Sequence, residues 1–188
     1  MERTLQQTNS NCIKVVLFGP ESTGKSTLAK ELADHYNSIY VEEYAREYLQ
    51  KKYDLNQEIC SYDDLIPIAK GQIRLENEAS KRCNSILFCD TDLLTTKIYS
   101  EIYFDKCDPL INEYAIKNKY DLYLLMDVDI PWVMDDLRDK PNERKKIFEY
   151  FKKTLEKHDR TYNLINGSFL ERKLKSIEII DKIVNIVT

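Results

Sequence analysis

Val15 to Leu32 reads VVLFGPESTGKSTLAKEL, and two of the chain's four glycines, Gly19 and Gly24, fall inside it. The stretch has three parts. Ile13 to Phe18 is an apolar, β-branched run, the pattern of a strand buried on both faces. From Ser26 to Tyr36, Leu28, Leu32 and Tyr36 recur at helical spacing. Between them, Gly19-Pro20-Glu21-Ser22-Thr23-Gly24-Lys25-Ser26 fits G-x-x-x-x-G-K-[ST]. Glycine lets the backbone wrap closely around a phosphate, where a Cβ would collide or force an unfavourable dihedral. The amides from Glu21, Ser22, Thr23 and Gly24 into the helix start at Lys25, Ser26 and Thr27 then face one concavity, and the helix dipole adds positive potential. In such a loop Lys25 reaches the β- and γ-phosphates of a nucleotide, and the Ser26 hydroxyl is placed to bind Mg²⁺. Average residue usage gives a chance match in a chain of this length on the order of 1%. The flanking strand and helix make an incidental glycine turn the weaker reading.

The bulk properties narrow the field. A chain of 188 residues suits one domain with a full core. Its net charge of −4 offers no general basic surface for nucleic acid, so a polyphosphate must be held by a local field against the global one. Cys12, Cys60, Cys83, Cys89 and Cys107 are scattered, odd in number and never in C-x-x-C. That fits reduced thiols in a cytoplasm, with no disulfide framework and no zinc site. No run approaches the roughly 20 apolar residues of a membrane span, and the polar start MERTLQQTNSN lacks a signal-peptide core. Residues 1–11 are expected to form a loose tail.

Along the rest of the chain, strand-like and helix-like segments alternate. Ile39 to Glu43, Ile86 to Cys89, Asp121 to Met126 and Tyr162 to Ile165 read as further strands. Tyr62 to Arg82, capped by Ser61, then Leu93 to Tyr103, Pro109 to Asn118, a segment through Ile147, Phe151 and Leu155, and Phe169 to Val187 read as helices. Alternation of this kind implies right-handed crossovers and a parallel sheet covered on both faces, with ligands beyond the carboxyl ends of the strands.

Three strand ends carry acid. Glu42-Glu43, before Tyr44-Ala45-Arg46, offers a carboxylate to accept the proton of an attacking hydroxyl; the plainer reading is an acidic helix N-terminus. Glu43 is preferred because Arg46, three residues on, is placed to orient it. Asp90-Thr91-Asp92 supplies what a P-loop protein uses to hold Mg²⁺, with Asp90 at the metal and Asp92 as helix cap or substrate hydroxyl partner. Asp127-Val128-Asp129 reads better as a turn. Within the charged stretch after Pro131-Trp132, Arg138 and Arg144 are candidates for a lid that stabilises a transferring phosphoryl group, whereas Lys140, Lys145 and Lys146 read as a solvated face.

Asn118-Lys119-Tyr120-Asp121 imitates the guanine-reading N-K-x-D of GTPases, but it precedes a strand instead of following one, and no glycine has Asp three positions before it. A GTP switch is therefore disfavoured. Two readings remain: a small-molecule kinase, with cradle, metal aspartate, base and basic lid in order, and a non-catalytic or slow ATP-binding sensor, which needs neither base nor acceptor pocket.

The ordered set of Gly19 to Ser26, Glu43-Tyr44-Ala45-Arg46, Gly71-Gln72, Asp90-Thr91-Asp92 and Pro131-Trp132 with Leu137-Arg138 resembles the ribosylnicotinamide kinase domain of the bacterial bifunctional NAD-biosynthesis and regulator proteins. The resemblance runs from about Ile13 to Ile183. It implies an α/β P-loop kinase sheet of about five strands in the order 2-3-1-4-5, as a single domain over residues 12–188 with a lid around 131–146. It also implies ATP-dependent, Mg²⁺-assisted phosphorylation of nicotinamide riboside, a small-molecule nucleoside, with no nucleic-acid or membrane partner; another nucleoside acceptor stays open, as does the oligomeric state. Glu43, Tyr44, Arg46, Asp92 and Trp132 would then surround the acceptor. In that family aromatic residues stand before the Glu-Tyr motif and shortly after Gly-Gln. Here those positions are Glu42 and Leu75, leaving Tyr40, Tyr44 or Trp132 to supply stacking.

Overall fold

A computed structural model of the chain describes residues 5–187. Its elements are β1 (Ile13–Phe18), α1 (Lys25–His35), β2 (Ile39–Val41), α2 (Tyr44–Asn56), α3 (Leu65–Ser80), β3 (Ile86–Asp90), α4 (Leu93–Phe104), α5 (Pro109–Lys117), β4 (Leu122–Met126), α6 (Arg144–Lys157), β5 (Tyr162–Ile165) and α7 (Phe169–Val187). The five strands form one sheet in the order β2-β3-β1-β4-β5, every pair parallel. The expected fold and strand order are therefore the observed ones.

Alternation along each strand builds a core on either side of the sheet. Val15, Leu17, Phe88, Leu122 and Leu124 face α1 and α7, packing with Leu28, Leu32 and Ile180. Val16, Phe18, Leu87, Cys89, Tyr123 and Leu125 face the other way, among Ile73, Leu94, Ile98 and Phe151. Burial on both faces is why the strands read as continuous apolar runs and not as an alternating pattern. Phe151 packs between Phe18, at 4.8 Å between ring centroids, and Tyr99, at 5.6 Å, which fixes α6 and α4 against the end of β1.

Parallel register brings the functional strand ends together. Leu17 pairs with Asp90 and Val41 with Cys89, so the residues following β1, β2 and β3 emerge at one edge. Asn118 and Asp121 lie at the opposite edge: the Lys14 amide donates to Asp121 at 2.7 Å, and Asn118 Nδ2 donates to the Leu5 carbonyl at 3.0 Å. The N-K-x-D segment is thus scaffolding.

Three expectations are corrected here. The start of the chain is not loose throughout. Residues 1–4 lie outside the described residues, but Leu5 is fully buried, Gln7 Nε2 donates to Glu76 at 2.7 Å, and the Thr8 amide donates to Asn77 at 2.8 Å. A single buried leucine and satisfied amides hold an otherwise polar segment. The cysteines are not all free thiols either: Cys12 and Cys83 form a disulfide across 71 residues. Because β1 and β3 begin level with each other, the residues just before them meet, an adjacency that sequence spacing hides. The long helix expected over Tyr62–Arg82 is a 3-10 turn at Tyr62–Asp64 followed by α3.

Candidate active site

The loop between β1 and α1 takes the shape its glycines permit. Gly19 has φ +139° and Gly24 φ +81°, and a Cβ on Gly19 would stand 2.9 Å from the Met126 carbonyl. The loop from Glu21 onward and the first turn of α1 through Thr27 line a cavity of about 440 Å³ that also receives Glu43, Arg46, Thr91 and Arg138. Lys25 lies beneath the loop, donating from Nζ to the carbonyls of Gly19 (3.0 Å) and Pro20 (2.8 Å). Two arginines secure the loop from behind. Arg144 donates to the Ser22 carbonyl at 2.8 Å and the Ile130 carbonyl at 2.9 Å. Arg172, on α7, donates to the carbonyls of Thr23 and Gly167, each at 2.9 Å, and pairs with Asp129. With these carbonyls occupied, the amides that follow Glu21 are left available to an anion.

Ser26 Oγ and Asp90 Oδ2 are 2.5 Å apart, and the second oxygen of Asp90 is buried without a hydrogen-bond partner. A hydroxyl beside a carboxylate that keeps one uncommitted buried oxygen is a hard-oxygen donor set of the kind Mg²⁺ takes. Thr91, next in the chain, adopts φ +71°, rare for a β-branched residue, and turns the backbone sharply between Asp90 and α4.

Glu43 is placed by Gln72. The buried Gln72 side chain accepts from the Tyr44 amide at 2.9 Å and donates to the Glu42 carbonyl at 3.5 Å, clamping the turn on both sides of Glu43. Burial, and then the neighbouring Asp90 carboxylate, push Glu43 up to about 7. Gly71 serves the same turn, since a Cβ there would sit 2.0 Å from the Tyr44 ring. The Gly-Gln pair therefore shapes the backbone that aims Glu43.

Of the expected residues, the structure brings Glu21 to Thr27, Glu43, Arg46, Asp90 and Arg138 to one edge, and it corrects four others. Asp92 keeps only the cap half of its expected role: at the N-cap of α4, Oδ1 accepts from the Thr95 amide at 3.0 Å and Oδ2 from the Tyr123 hydroxyl at 2.8 Å, which commits both oxygens within the fold. Tyr44 packs on Gly71, outside the lining. Trp132 lies against the Arg144 guanidinium, 5.6 Å from the ring centroid. Arg144 itself is a buried anchor at the start of α6, not a lid residue, because its two terminal nitrogens are committed to the Ile130 and Ser22 carbonyls. Arg46 does not orient Glu43; its guanidinium pairs with Asp135 at 2.7 Å.

The segment over the cavity is narrower than expected. Asp136, Leu137, Arg138 and Asp139 line it, whereas Pro141–Glu143 is a 3-10 turn and residues 144–146 already belong to α6. Arg138 is braced by Asp135 at 3.1 Å and by the Val133 carbonyl at 2.6 Å. The opposite wall is one that strand-end reasoning did not find: Leu49, Ile59, Leu65, Ile68, Tyr99 and Tyr103. Thr95, Tyr99 and Tyr103 recur at helical spacing, which was the available signal. Glu42 is exposed and accepts from the Tyr40 hydroxyl at 3.0 Å, and Leu75 packs against the core, so neither family-variant position lines the cavity.

Among the described residues no helix is long and apolar enough to cross a membrane. A family described as an AAA domain matches residues 14–172. Over 124 residues the chain is 33% identical to the trifunctional NAD biosynthesis/regulator protein NadR of Salmonella typhimurium and to that of Escherichia coli, covering 66% of this chain and 30% of each relative. The chain thus spans much less than the length of the curated relatives it matches. A crystal structure of NadR in complex with NR superposes with a TM-score of 0.75 at 22% identity, covering 92% of this chain and 51% of that one. One of NadR with NAD and AMP-PNP gives 0.73 at 24%, covering 92% and 50%. A thymidylate kinase from Ehrlichia chaffeensis gives 0.63 at 16%, covering 90% and 98%, so the likeness to these structures is one of fold. The chain belongs to the AAA domain family, and over part of its length it is similar in sequence and fold to NadR.

Proposed function

We propose that the chain is an ATP-dependent nucleoside kinase that converts nicotinamide riboside to nicotinamide mononucleotide. The observation that carries this reading is a shared cavity: the phosphate loop, Glu43 and Thr91, which follows Asp90, open onto the same space as an apolar and aromatic wall. A nucleotide sensor has no use for a carboxylate held near neutrality beside the metal-type aspartate, nor for a second compartment. The relatives point the same way, since NadR structures contain NR in one case and AMP-PNP in another.

The loop amides and Lys25 bind the β- and γ-phosphates and draw charge toward the leaving oxygen. Ser26 and Asp90 would hold Mg²⁺, which when bound neutralises phosphate charge. Glu43 accepts the proton of the acceptor's primary hydroxyl as that oxygen bonds to the γ-phosphorus and the bond to ADP breaks. A side chain near 7 suits this, being basic enough to take the proton while ionised in a large fraction of molecules at neutral pH. Arg138 approaches from the covering segment, and the faces of Tyr99 and Tyr103 suit a flat cationic base.

The test is mass spectrometry of products after incubation with ATP, Mg²⁺ and a nucleoside panel. Nicotinamide mononucleotide and ADP are expected in equal amounts. Phosphorylation of another nucleoside alone would reassign the acceptor, and ADP with no phosphorylated nucleoside would reject the kinase reading.

A further inference from the structure

Glu21 belongs to the phosphate loop by position but not by chemistry. Its backbone amide donates to the Tyr99 hydroxyl at 3.1 Å, so that amide is turned to α4. Glu21 lines the cavity, and its Oε1 is buried with no hydrogen-bond partner. The cations nearby are engaged elsewhere: Lys25 with the loop carbonyls, Arg138 with Asp135 and the Val133 carbonyl. Burial and then the neighbouring Asp139 charge raise the pKa of Glu21, against a backbone hydrogen bond from Lys140 and the charges of Lys25 and Arg138. A carboxylate in this place repels a phosphate oxygen. What its Oε1 lacks is a donor, and the donors that a nucleoside brings to a phosphate loop are the hydroxyls of its sugar.

Building on the nucleoside-kinase reading, we propose that Glu21 reads the acceptor sugar: its free carboxylate oxygen accepts a hydrogen bond from a secondary ribose hydroxyl and sets a preference for ribonucleosides over deoxy analogues. The placement supports this. Glu21 stands on the loop that holds the γ-phosphate, within the electrostatic reach of Glu43 and against the aromatic wall. A sugar whose primary hydroxyl is directed at Glu43 and whose base lies along Tyr99 and Tyr103 passes between them. A site built to bond a hydroxyl discriminates strongly against an analogue lacking it, because the buried acceptor is then left bare.

The experiment compares kcat/KM for nicotinamide riboside with its 2′-deoxy and 3′-deoxy analogues in the wild type, Glu21→Ala and Glu21→Gln, with KM for ATP and Tm measured alongside. The wild type should prefer the riboside over one analogue by about 10²-fold. Glu21→Ala should lower kcat/KM for the riboside to the level of that analogue, chiefly through KM, with KM for ATP changed by less than about twofold. Glu21→Gln, which keeps an acceptor oxygen and the side-chain volume, should retain part of the preference and decides the matter if the alanine variant does not fold. An unchanged preference in Glu21→Ala, or an equal loss on all three acceptors with a raised KM for ATP, would overturn the proposal and leave the kinase reading intact. A wild type that phosphorylates none of these nucleosides would overturn both.

Discussion

The two ends of the cavity are held by different physics. At the phosphate end, strand register and glycine backbone fix positions, and the buried arginines Arg144 and Arg172 brace the loop through its carbonyls. At the acceptor end, the covering segment is tied by groups near the surface: Arg46 to Asp135, Gln50 to Asp136 and Tyr103 to Asp139. Charge-assisted bonds out of water hold strongly, whereas exposed ion pairs contribute about 0–1 kcal/mol each. On the nucleoside-kinase reading, the phosphate end is expected to be the more rigid of the two and the acceptor end the more readily displaced.

The largest effects should come from breaking the phosphate end. Lys25→Ala should lower kcat by about 10²-fold or more, measured by steady-state ADP release. Glu43→Gln should lose a similar amount with little change in ATP affinity. Because only the ionised form accepts a proton, wild-type kcat/KM should rise with pH through about 7, and the glutamine variant should lose that limb. The linked stability has the opposite sign. Glu43 holds its proton more tightly folded than unfolded, so its contribution to stability falls as pH rises from the ordinary carboxylate range through about 7. Glu43→Gln should therefore raise Tm relative to wild type at pH 8 and not at pH 4, a gain in stability accompanying a loss of activity.

Removing the rear support should give an intermediate effect. Arg172→Ala leaves the Thr23 and Gly167 carbonyls without their partner, and a loss of about 2–3 kcal/mol in chemical denaturation is expected, with a raised KM for ATP. At the acceptor end, Asp135→Asn should change acceptor KM by no more than about 2–5-fold, and the difference should shrink at high salt. An effect of Asp135→Asn as large as that of Lys25→Ala would show that both ends are equally rigid and break the comparison.

The same contrast explains what the sequence made legible. Gly19, Gly24, Lys25, Ser26 and Asp90 act through local backbone and fixed spacing after strands, so linear pattern reveals them. Arg172 and Gln72 act from distant helices on carbonyls and amides, and nothing local marks a buried arginine or glutamine as an anchor. Asp92 and Tyr44 carry functional residue types at plausible spacing, yet their side chains turn the other way, a choice that packing makes. The Cys12–Cys83 pair and the docking of Leu5 likewise depend on which strands are neighbours. Tyr99 and Tyr103 had a helical stripe to announce them, but a stripe of aromatic residues reads first as core.

The central claim, that the amides and lysine of the loop grip a triphosphate, is tested most directly by titrating ATP with Mg²⁺ into the protein in a calorimeter. Saturable one-to-one binding is expected, weakened by about tenfold or more in Lys25→Ala. An absence of binding heat across temperatures, or equal affinity in the wild type and the variant, would contradict it.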